Sequence, residues 1–348
     1  MKIETVKVQN YRNLDGIEIA LHEEVNFIIG ENNLGKSNFL DLLDTIFNGT
    51  KFSQSDFANN DKPIIVDISL KVTEEESSAL GLEGKKDIVK IKVIQNSPDD
   101  RIELKDESCD KDLKYMGIRL ANFIKYDPLR IPKDELNFYR NRGVGRFLSY
   151  IVQKVIDNKA VKVDDVFNQN VLNNLINTMN EYFDKIEHFD RYGIKASKDK
   201  EIKLEDIISE AVILKDSTDI NITDAGAGLQ FVILIILSIL DKVKKIADRD
   251  EGSDNQKRDI SMIVALDEPE IHLNPYLQRS LVKYLRRILN NEDSKFNELL
   301  KELFGIHSIK GQLIIVTHSP GVLLNDYKHY IRFYLNNQEN QEKNCPAR

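Results

Sequence analysis

The alternation of apolar and polar residues at the start of the chain predicts three short strands. They cover residues 3–9, 17–21 and 25–29, and the third is an apolar run that ends at Gly30. Apolar positions then recur at helical spacing over residues 36–47. The pattern therefore predicts a buried strand, a tight turn and a helix in direct succession.

The middle of the chain predicts an antiparallel sheet and a helical insertion. Residues 64–72 and 88–94 alternate as half-buried antiparallel strands do. Between residues 133 and 186 the spacing becomes helical and is interrupted by charges, and short strands resume between residues 189 and 220. We expect the sheet to lie beside the main core and the insertion to form an arm.

Three later segments are continuously apolar. Residues 231–240 (FVILIILSIL) are about half as long as the roughly 20 residues that cross a bilayer, which predicts a buried helix. A polar loop at 248–259 precedes residues 260–266 (ISMIVAL), and residues 313–316 (LIIV) follow later; both runs are typical of central strands covered on both faces. Open α/β sheets bind ligands at the carboxyl ends of such strands.

Composition and charge limit the class of protein. The chain has 348 residues, of which 41% are hydrophobic and 30% charged, enough for one large or two smaller α/β domains. Cys109 and Cys345 are too far apart in the sequence to suggest a disulfide framework, and the N-terminus shows no export signal. These features predict a cytoplasmic protein without a membrane partner.

A net charge of −8 opposes binding to a polyanion, so any contact with DNA would need a local basic patch or a partner. Two clusters are candidates for such a patch, although a solvated helix face is the simpler interpretation of each. They are Arg140, Arg142 and Arg146 in the first, and Lys242, Lys244 and Lys245 in the second.

Residues 30–37 (GENNLGKS) fit the pattern G-x-x-x-x-G-K-[ST] between a predicted strand and a predicted helix. Backbone N–H groups of such a loop bind phosphate oxygens, and the helix start adds the positive end of its dipole. We predict that Lys36 reaches the β- and γ-phosphates of a nucleotide and that Ser37 is a ligand of Mg²⁺. The predicted nucleotide-binding residues here are Gly30, Glu31, Asn32, Asn33, Leu34, Gly35, Lys36, Ser37 and Asn38.

Residues 263–270 (IVALDEPE) form an apolar run that ends in two adjacent carboxylates, the arrangement of a Walker B strand. Taken alone, such a pair more often caps a loop. Next to a phosphate-binding loop, we predict that Asp267 holds Mg²⁺ and that Glu268 is the general base. Because side chains alternate along a strand, we expect these two carboxylates to point to different sides.

The next apolar run, residues 312–317, is followed by His318. A lone histidine is more often structural, but this one lies one strand after the Asp–Glu pair, so we predict that its imidazole contacts the γ-phosphate. A second turn of small residues, 223–230 (TDAGAGLQ), opens the apolar helix. It is either a second anion site at a helix start or a simple helix cap.

Four segments of the chain resemble the motifs of the SMC-like ABC ATPases and, within them, of the overcoming-lysogenisation-defect (OLD) family. In chain order they are GENNLGKSN, GAGLQ, LDEPEIHLNP and THSP. The resemblance runs from Met1 to about Tyr334. It implies an α/β fold of the P-loop NTPase type, an ABC-ATPase-like head with a mixed sheet, an antiparallel β subdomain and a helical insertion. The implied parts are an N-terminal lobe (1–132), a helical insertion that could aid dimerisation (133–188), a C-terminal lobe (189–336) and a polar tail (337–348).

The resemblance also implies ATP and Mg²⁺ as cofactors and hydrolysis to ADP and phosphate. Positions matching Arg12 and Asn13 approach the phosphates in heads of this class. Two heads form a homodimer, or a higher oligomer, around two ATP molecules, so that Gly226, Gly228 and Gln230 would act on the nucleotide of the partner. Ala227 stands where a serine is usual in the signature turn.

Three outputs remain open. OLD proteins normally continue into a Toprim nuclease domain. The resemblance therefore implies an ATP-dependent DNA endonuclease with a role in phage defence. Its cleavage site would be elsewhere in the protein or in a partner. The alternatives are an SMC-like DNA-repair clamp without a nuclease, and a nucleotide-gated scaffold that holds an effector protein. We expect no nuclease site within these residues.

Overall fold

The computed structural model describes most of the predicted core. The residues it describes are 1–82, 87–127, 147, 150–151, 169–196, 212–215, 219–221, 225–249, 258–319 and 330–334. Most of the predicted helical insertion, the arginine cluster at 140–146, most of the polar loop after residue 249 and the polar tail lie outside these residues.

The strands agree closely with the sequence pattern. In chain order, the described strands are β1 (Lys2–Gln9), β2 (Glu18–Ala20), β3 (Val25–Gly30), β4 (Ile64–Lys71), β5 (Ile88–Gln95), β6 (Glu103–Asp106), β7 (Phe123–Tyr126), β8 (Ile194–Ala196), β9 (Val212–Lys215), β10 (Asp219–Asn221), β11 (Arg258–Asp267), β12 (Ile306–Val316) and β13 (Tyr330–Phe333). The expected start of strands near Phe189 is wrong, because that residue belongs to a short helix and the next strand begins at Ile194.

The described helices were only partly predicted. They are α1 (Lys36–Asn48), α2 (Glu74–Ala79), α3 (Tyr115–Ile118), α4 (Gln169–Phe183), α5 (Glu187–Arg191), α6 (Ala227–Arg249), α7 (Pro275–Leu289) and α8 (Ser294–Phe304). The side chain of Asn274 accepts a hydrogen bond from the Leu277 amide (2.9 Å) and caps α7, while Asp293 caps α8 by accepting from the Phe296 amide (3.0 Å). No described helix combines the length and the apolar character that crossing a bilayer requires.

Two sheets build the core. The first is antiparallel, in the order β2-β1-β4-β5-β6, and the second is parallel, in the order β13-β3-β12-β11-β7. Buried Gln312 of β12 joins them, since its Oε1 accepts from the Ile3 amide (2.9 Å) and its Nε2 donates to the carbonyls of Ile3 (2.8 Å) and His22 (2.7 Å). A small sheet, β10-β9-β8, shares no strand pairing with either among the described residues, but Ile194 of β8 packs into the same hydrophobic cluster as the parallel sheet.

Alternation along the parallel strands explains their continuously apolar sequence. In β11, Val264 and Leu266 pack into one hydrophobic cluster with α6, whereas Ile263 and Ala265 pack into the other cluster with α1. The parallel sheet is therefore covered on both faces, and every position of the run is buried. The same cover explains α6, whose residues Phe231 to Leu237 are at most 1% exposed.

Candidate active site

A cavity of about 730 Å³ lies where the parallel strands end. β3 runs into the glycine-rich loop, β11 ends at Asp267, and β12 ends at Val316, just before His318. The residues that line the cavity are Asn32, Asn33, Gly35, Lys36, Ser37, Asn38, Glu268, Glu270 and His318. The parallel register thus brings the two halves of the predicted site together from opposite ends of the sequence.

The glycine-rich loop is shaped by residues in the left-handed region. Gly35, which precedes α1, has φ 95°, and Asn33 has φ 62°. A Cβ at Gly30 would lie 2.5 Å from the carbonyl oxygen of Phe333 in β13, and one at Gly35 would lie 2.5 Å from the Leu14 side chain. The two motif glycines are therefore required by close approach as well as by backbone conformation.

The Lys36 side chain curls back over its own loop. Its Nζ donates to the carbonyl oxygens of Gly30 (3.1 Å) and Glu31 (2.7 Å). Burial lowers the pKa of Lys36, and the nearby charges of Glu268 and Asp267 oppose that effect. The ammonium is thus held at the cavity by weak neutral acceptors that an anionic phosphate oxygen can replace.

Ser37 and Asp267 form a pair on the inner side of the site. The Ser37 hydroxyl donates to Oδ1 of Asp267 at 3.1 Å, and Asp267 is only 2% exposed. Burial raises the pKa of Asp267 to about 6, while the Ser37 hydrogen bond opposes the rise. A buried carboxylate beside a hydroxyl is an oxygen pair that suits a hard divalent cation.

Glu268 faces the cavity and meets His318. Its Oε1 lies 3.3 Å from Nε2 of His318, and its backbone is left-handed, with φ 45° and ψ 54°. β11 ends at Asp267, so it is this turn, rather than the strand alternation we expected, that sends the two carboxylates to different partners. A left-handed glutamate is a strained conformation of the kind that is concentrated at functional sites.

Sequence reasoning missed Glu270. It lines the cavity, and its carboxylate accepts hydrogen bonds from Thr317, His318 and Ser319. The only signal was the third acidic residue of the DEPE segment, and nothing in the sequence linked it to residues 47 or more positions away.

Arg12 and Asn13 lie beside the loop but do not line the cavity. Arg12 Nε pairs with Asp56 Oδ1 (2.8 Å), and its Nη1 with Asp41 Oδ2 (2.6 Å) and Asn38 Oδ1 (2.6 Å). Asn13 Nδ2 donates to the Asn33 carbonyl at 3.2 Å. Both residues brace the loop here, and a direct contact with phosphate stays a prediction.

The predicted signature turn is not part of this cavity. Gly226 is exposed, whereas Gln230 is only 5% exposed. A Cβ at Gly228 would lie 2.6 Å from the His272 carbonyl oxygen, so this glycine allows α6 to approach the turn after β11. Leu34, which was predicted as a nucleotide-binding residue of the glycine-rich loop, is partly buried and packs against the hydrophobic cluster that contains α1. The role of Gly226, Gly228 and Gln230 on a partner's nucleotide stays a prediction.

The second basic cluster is paired within its own helix. Lys244 lies 2.6 Å from Asp248 and Lys245 lies 2.7 Å from Asp241, each four positions away. Lys244 also lies over the Tyr150 ring at 4.6 Å. These pairs favour a solvated helix face over a DNA-binding patch.

Comparison with solved structures agrees with this fold. The SMC head bound to the C-winged helix domain of ScpA is 16% identical, over 95% of this chain and 94% of that one, with a TM-score of 0.50. The Smc head domain bound to the C-terminal domain of ScpA from Pyrococcus furiosus is 13% identical over 95% and 93%, with a TM-score of 0.48. The first of these two likenesses, together with the two sheets described above, confirms the predicted SMC-like, ABC-ATPase-type fold.

Sequence relatives are similar over a short stretch. The DNA replication and repair protein RecF of Staphylococcus aureus, in strains JH9 and Newman, is 38% identical over 65 residues, which is 19% of this chain and 16% of RecF. The match thus spans about a sixth of the relatives' length. The AAA ATPase domain family, in contrast, matches residues 1–140 and 147–323. Since that is most of the sequence, the chain belongs to the AAA ATPase domain family.

Proposed function

We propose that this chain is the ATP-binding and ATP-hydrolysing head of an OLD-type machine that acts on DNA. One observation carries the ATPase part: Lys36, the Ser37–Asp267 pair and the Glu268–His318 pair converge on a single cavity from opposite ends of the sequence. The cavity is large enough to hold a nucleotide's phosphates, and its loop amides and ammonium supply positive charge for them.

Each residue has a role in hydrolysis. On ATP binding, the Lys36 ammonium leaves the carbonyls of its own loop and pairs with the β- and γ-phosphates. Glu268 accepts a proton from water as the water oxygen bonds to the γ-phosphorus and the bond from that phosphorus to the β,γ-bridging oxygen breaks, which leaves ADP and phosphate. We assign to His318, which lies beside Glu268 at the cavity, a hydrogen bond to the γ-phosphate of the bound nucleotide.

The oxygen donors present fit Mg²⁺. Ser37 and Asp267 are adjacent, and burial raises the pKa of Asp267, while the Ser37 hydrogen bond and the charge of Lys125 oppose the rise. A carboxylate and a hydroxyl are oxygen ligands that suit this ion. When bound, the ion would neutralise phosphate charge. The other acidic residues at the cavity have other partners. Glu268 pairs with the His318 imidazole, and Glu270 accepts from the His318 backbone amide.

We propose further that two such heads close around ATP, as the family resemblance implies. The exposed turn at Gly226 and Ala227 is available to a second copy. Light scattering of the Glu268→Gln variant tests this: we expect ATP to shift the protein from monomer to dimer or to tighten a dimer. A mass that does not depend on ATP would contradict the closure.

The DNA output rests on resemblance. The OLD-like motifs favour a Toprim nuclease, in cis or as a partner, whereas the local likeness to RecF favours a repair clamp without a nuclease. The deciding measurement is ATP turnover and filter binding with and without duplex DNA, at several salt concentrations. We expect DNA to stimulate turnover. A protein that neither hydrolyses ATP nor responds to DNA, with Glu268→Gln indistinguishable from wild type, would overturn the proposal.

A further inference from the structure

One carboxylate collects the donors of three consecutive residues. Oε2 of Glu270 accepts from the Thr317 hydroxyl at 2.8 Å, and Oε1 accepts from the backbone amides of His318 (2.5 Å) and Ser319 (3.2 Å). Glu270 belongs to the short helical turn Pro269–Ile271 that begins directly after Glu268. The turn that follows Glu268, the proposed base, therefore also binds residues 317–319, the segment that contains His318.

A second anchor holds the same segment from α7. The Ser319 hydroxyl donates to Oε1 of Gln278 at 3.1 Å, and Gln278 is only 3% exposed. The amide nitrogen of Gln278 donates in turn to the Leu273 carbonyl at 2.5 Å, which fixes the orientation of its side chain. Residues 317–319 are thus bound on one side by a carboxylate and on the other by an oriented amide.

We propose that Glu270 is a positioning residue for ATP hydrolysis: it holds the backbone of His318 so that the imidazole stays beside Glu268 in the phosphate cavity. This inference rests on the proposed ATPase function. It assigns Glu270 neither to the metal nor to proton transfer. Its task is to make the base and the imidazole one rigid unit, although they lie on loops after different strands.

The occupancy of Glu270 argues for this role. Both of its oxygens are bound by donors from residues 317–319. Because these donors already occupy both oxygens, Glu270 is poorly placed to accept a proton from the attacking water. Charge-assisted hydrogen bonds are short and directional, and they therefore suit a residue that holds a backbone segment in place.

Loss of the hydrogen bonds from residues 317–319 to Glu270 would lower kcat more than it would lower nucleotide affinity. Without Glu270, the His318 amide and the Thr317 hydroxyl lose this acceptor, and the Ser319 amide keeps its hydrogen bond to Thr317 Oγ1 (3.0 Å). Residues 317–319 can then shift. A misplacement of about 1 Å in a catalytic group costs up to about 100-fold in rate. Nucleotide affinity depends mainly on the glycine-rich loop and Lys36. The Lys36 ammonium donates to the carbonyls of Gly30 and Glu31, and the charge of Glu270 is the weakest of the three carboxylates that act on it.

The test compares Glu270→Ala with Glu270→Gln in the whole chain, by steady-state ATPase kinetics and by titration with a fluorescent ATP analogue. For Glu270→Ala we expect kcat to fall by about 10- to 100-fold, with KM and analogue affinity within about threefold of wild type. In Glu270→Gln the amide oxygen still accepts the two backbone amides, so kcat should recover to within about fivefold.

Two results would overturn the positioning role. One is a wild-type kcat in Glu270→Ala, and the other is a Glu270→Gln variant as slow as Glu270→Ala, which would mean that the charge acts and the hydrogen bonds do not. If wild type itself neither binds nor hydrolyses ATP, the proposed function fails, and this inference fails with it. An active wild type with an unaffected Glu270→Ala refutes the inference alone.

A second variant covers the case in which Glu270→Ala does not fold. Thr317→Val keeps the shape of a buried residue and removes one of the three donors to Glu270. We expect an intermediate loss in kcat, about three- to tenfold, with KM unchanged. An unchanged kcat in this variant, with its melting temperature showing a folded protein, would contradict the positioning role.

Discussion

The Ser37 hydroxyl donates a hydrogen bond to Oδ1 of Asp267 at 3.1 Å, across 230 positions of sequence. The first turn of α1 carries one partner and the end of β11 carries the other. The pairing of β12 with both β3 and β11 sets this distance, so the fold itself brings the two oxygens together. This placement supports the proposed cation site.

Asp267→Asn tests the metal site. The amide keeps the shape and can still accept from Ser37, but it lacks the charge that holds Mg²⁺. We expect the Mg²⁺ concentration for half-maximal ATPase activity to rise at least about tenfold. The control is Asp110→Asn, since the Asp110 side chain is 83% exposed and paired only loosely with Lys105 at 3.9 Å. Equal Mg²⁺ dependence in both variants would argue against Asp267 as a ligand.

Lys36→Ala tests the nucleotide site. The loop would lose its cation while Gly30 and Gly35 keep its shape, so we expect analogue affinity to fall by about 100-fold or more. Its melting temperature should stay close to wild type, because Lys36 donates only to two carbonyls of its own loop. Unchanged affinity would refute the site assignment.

Glu268→Gln separates binding from turnover. The amide cannot accept a proton from water, whereas the Ser37–Asp267 pair is untouched. We expect kcat to fall by about 100- to 10,000-fold with ATP binding retained, measured by phosphate release and analogue titration. Turnover near wild type would assign the base to another residue.

Gly228→Ala tests the contact between α6 and the turn after β11. A Cβ there would lie 2.6 Å from the His272 carbonyl oxygen, whereas nothing lies within 4 Å of a Cβ at Gly226. We expect Gly228→Ala to lower the free energy of unfolding by about 1–3 kcal/mol in urea titrations, and Gly226→Ala to leave it nearly unchanged. Equal stability of the two variants would contradict the close approach.

His188 should make stability depend on pH. It is fully buried against Tyr284 and Tyr192, and burial lowers its pKa from 6.5 to about 4. Between these values the unfolded chain binds a proton that the folded chain does not, so stability falls as pH drops from about 6.5 to 4. The loss is on the order of 3 kcal/mol. Urea titrations across this range should show a shallower fall for His188→Phe; an equal slope would exclude His188 as the cause.

The sequence predicted those parts of the site that follow from local pattern. The succession of β3, glycine-rich loop and α1 needs only neighbouring residues, and β11 is unmistakable because all its central positions are apolar. The first half of β12 was not predicted as a strand because Lys310 and Gly311 interrupt the apolar run. A Cβ at Gly311 would lie 2.5 Å from the Leu289 side chain, so this glycine reflects packing against α7.

Long-range contacts account for what sequence reasoning missed. The contact of Arg12 with phosphate, which the resemblance implies, stays a prediction, whereas the ion pairs of its guanidinium with Asp56 and Asp41 were not predicted. Glu270 gained its significance only when the fold set it against residues 317–319. Neither relationship follows from a period or a spacing, because each depends on which strands become neighbours.

The neighbours of β3 in the parallel sheet have a consequence for synthesis. Its described partners, β12 and β13, come from the far end of the chain. At about 5–20 residues per second, a ribosome makes β12 roughly 15 to 60 s after β3. Throughout that delay the nascent polypeptide exposes an unpaired apolar strand, so we expect it to depend on a holding chaperone until β12 has been synthesised.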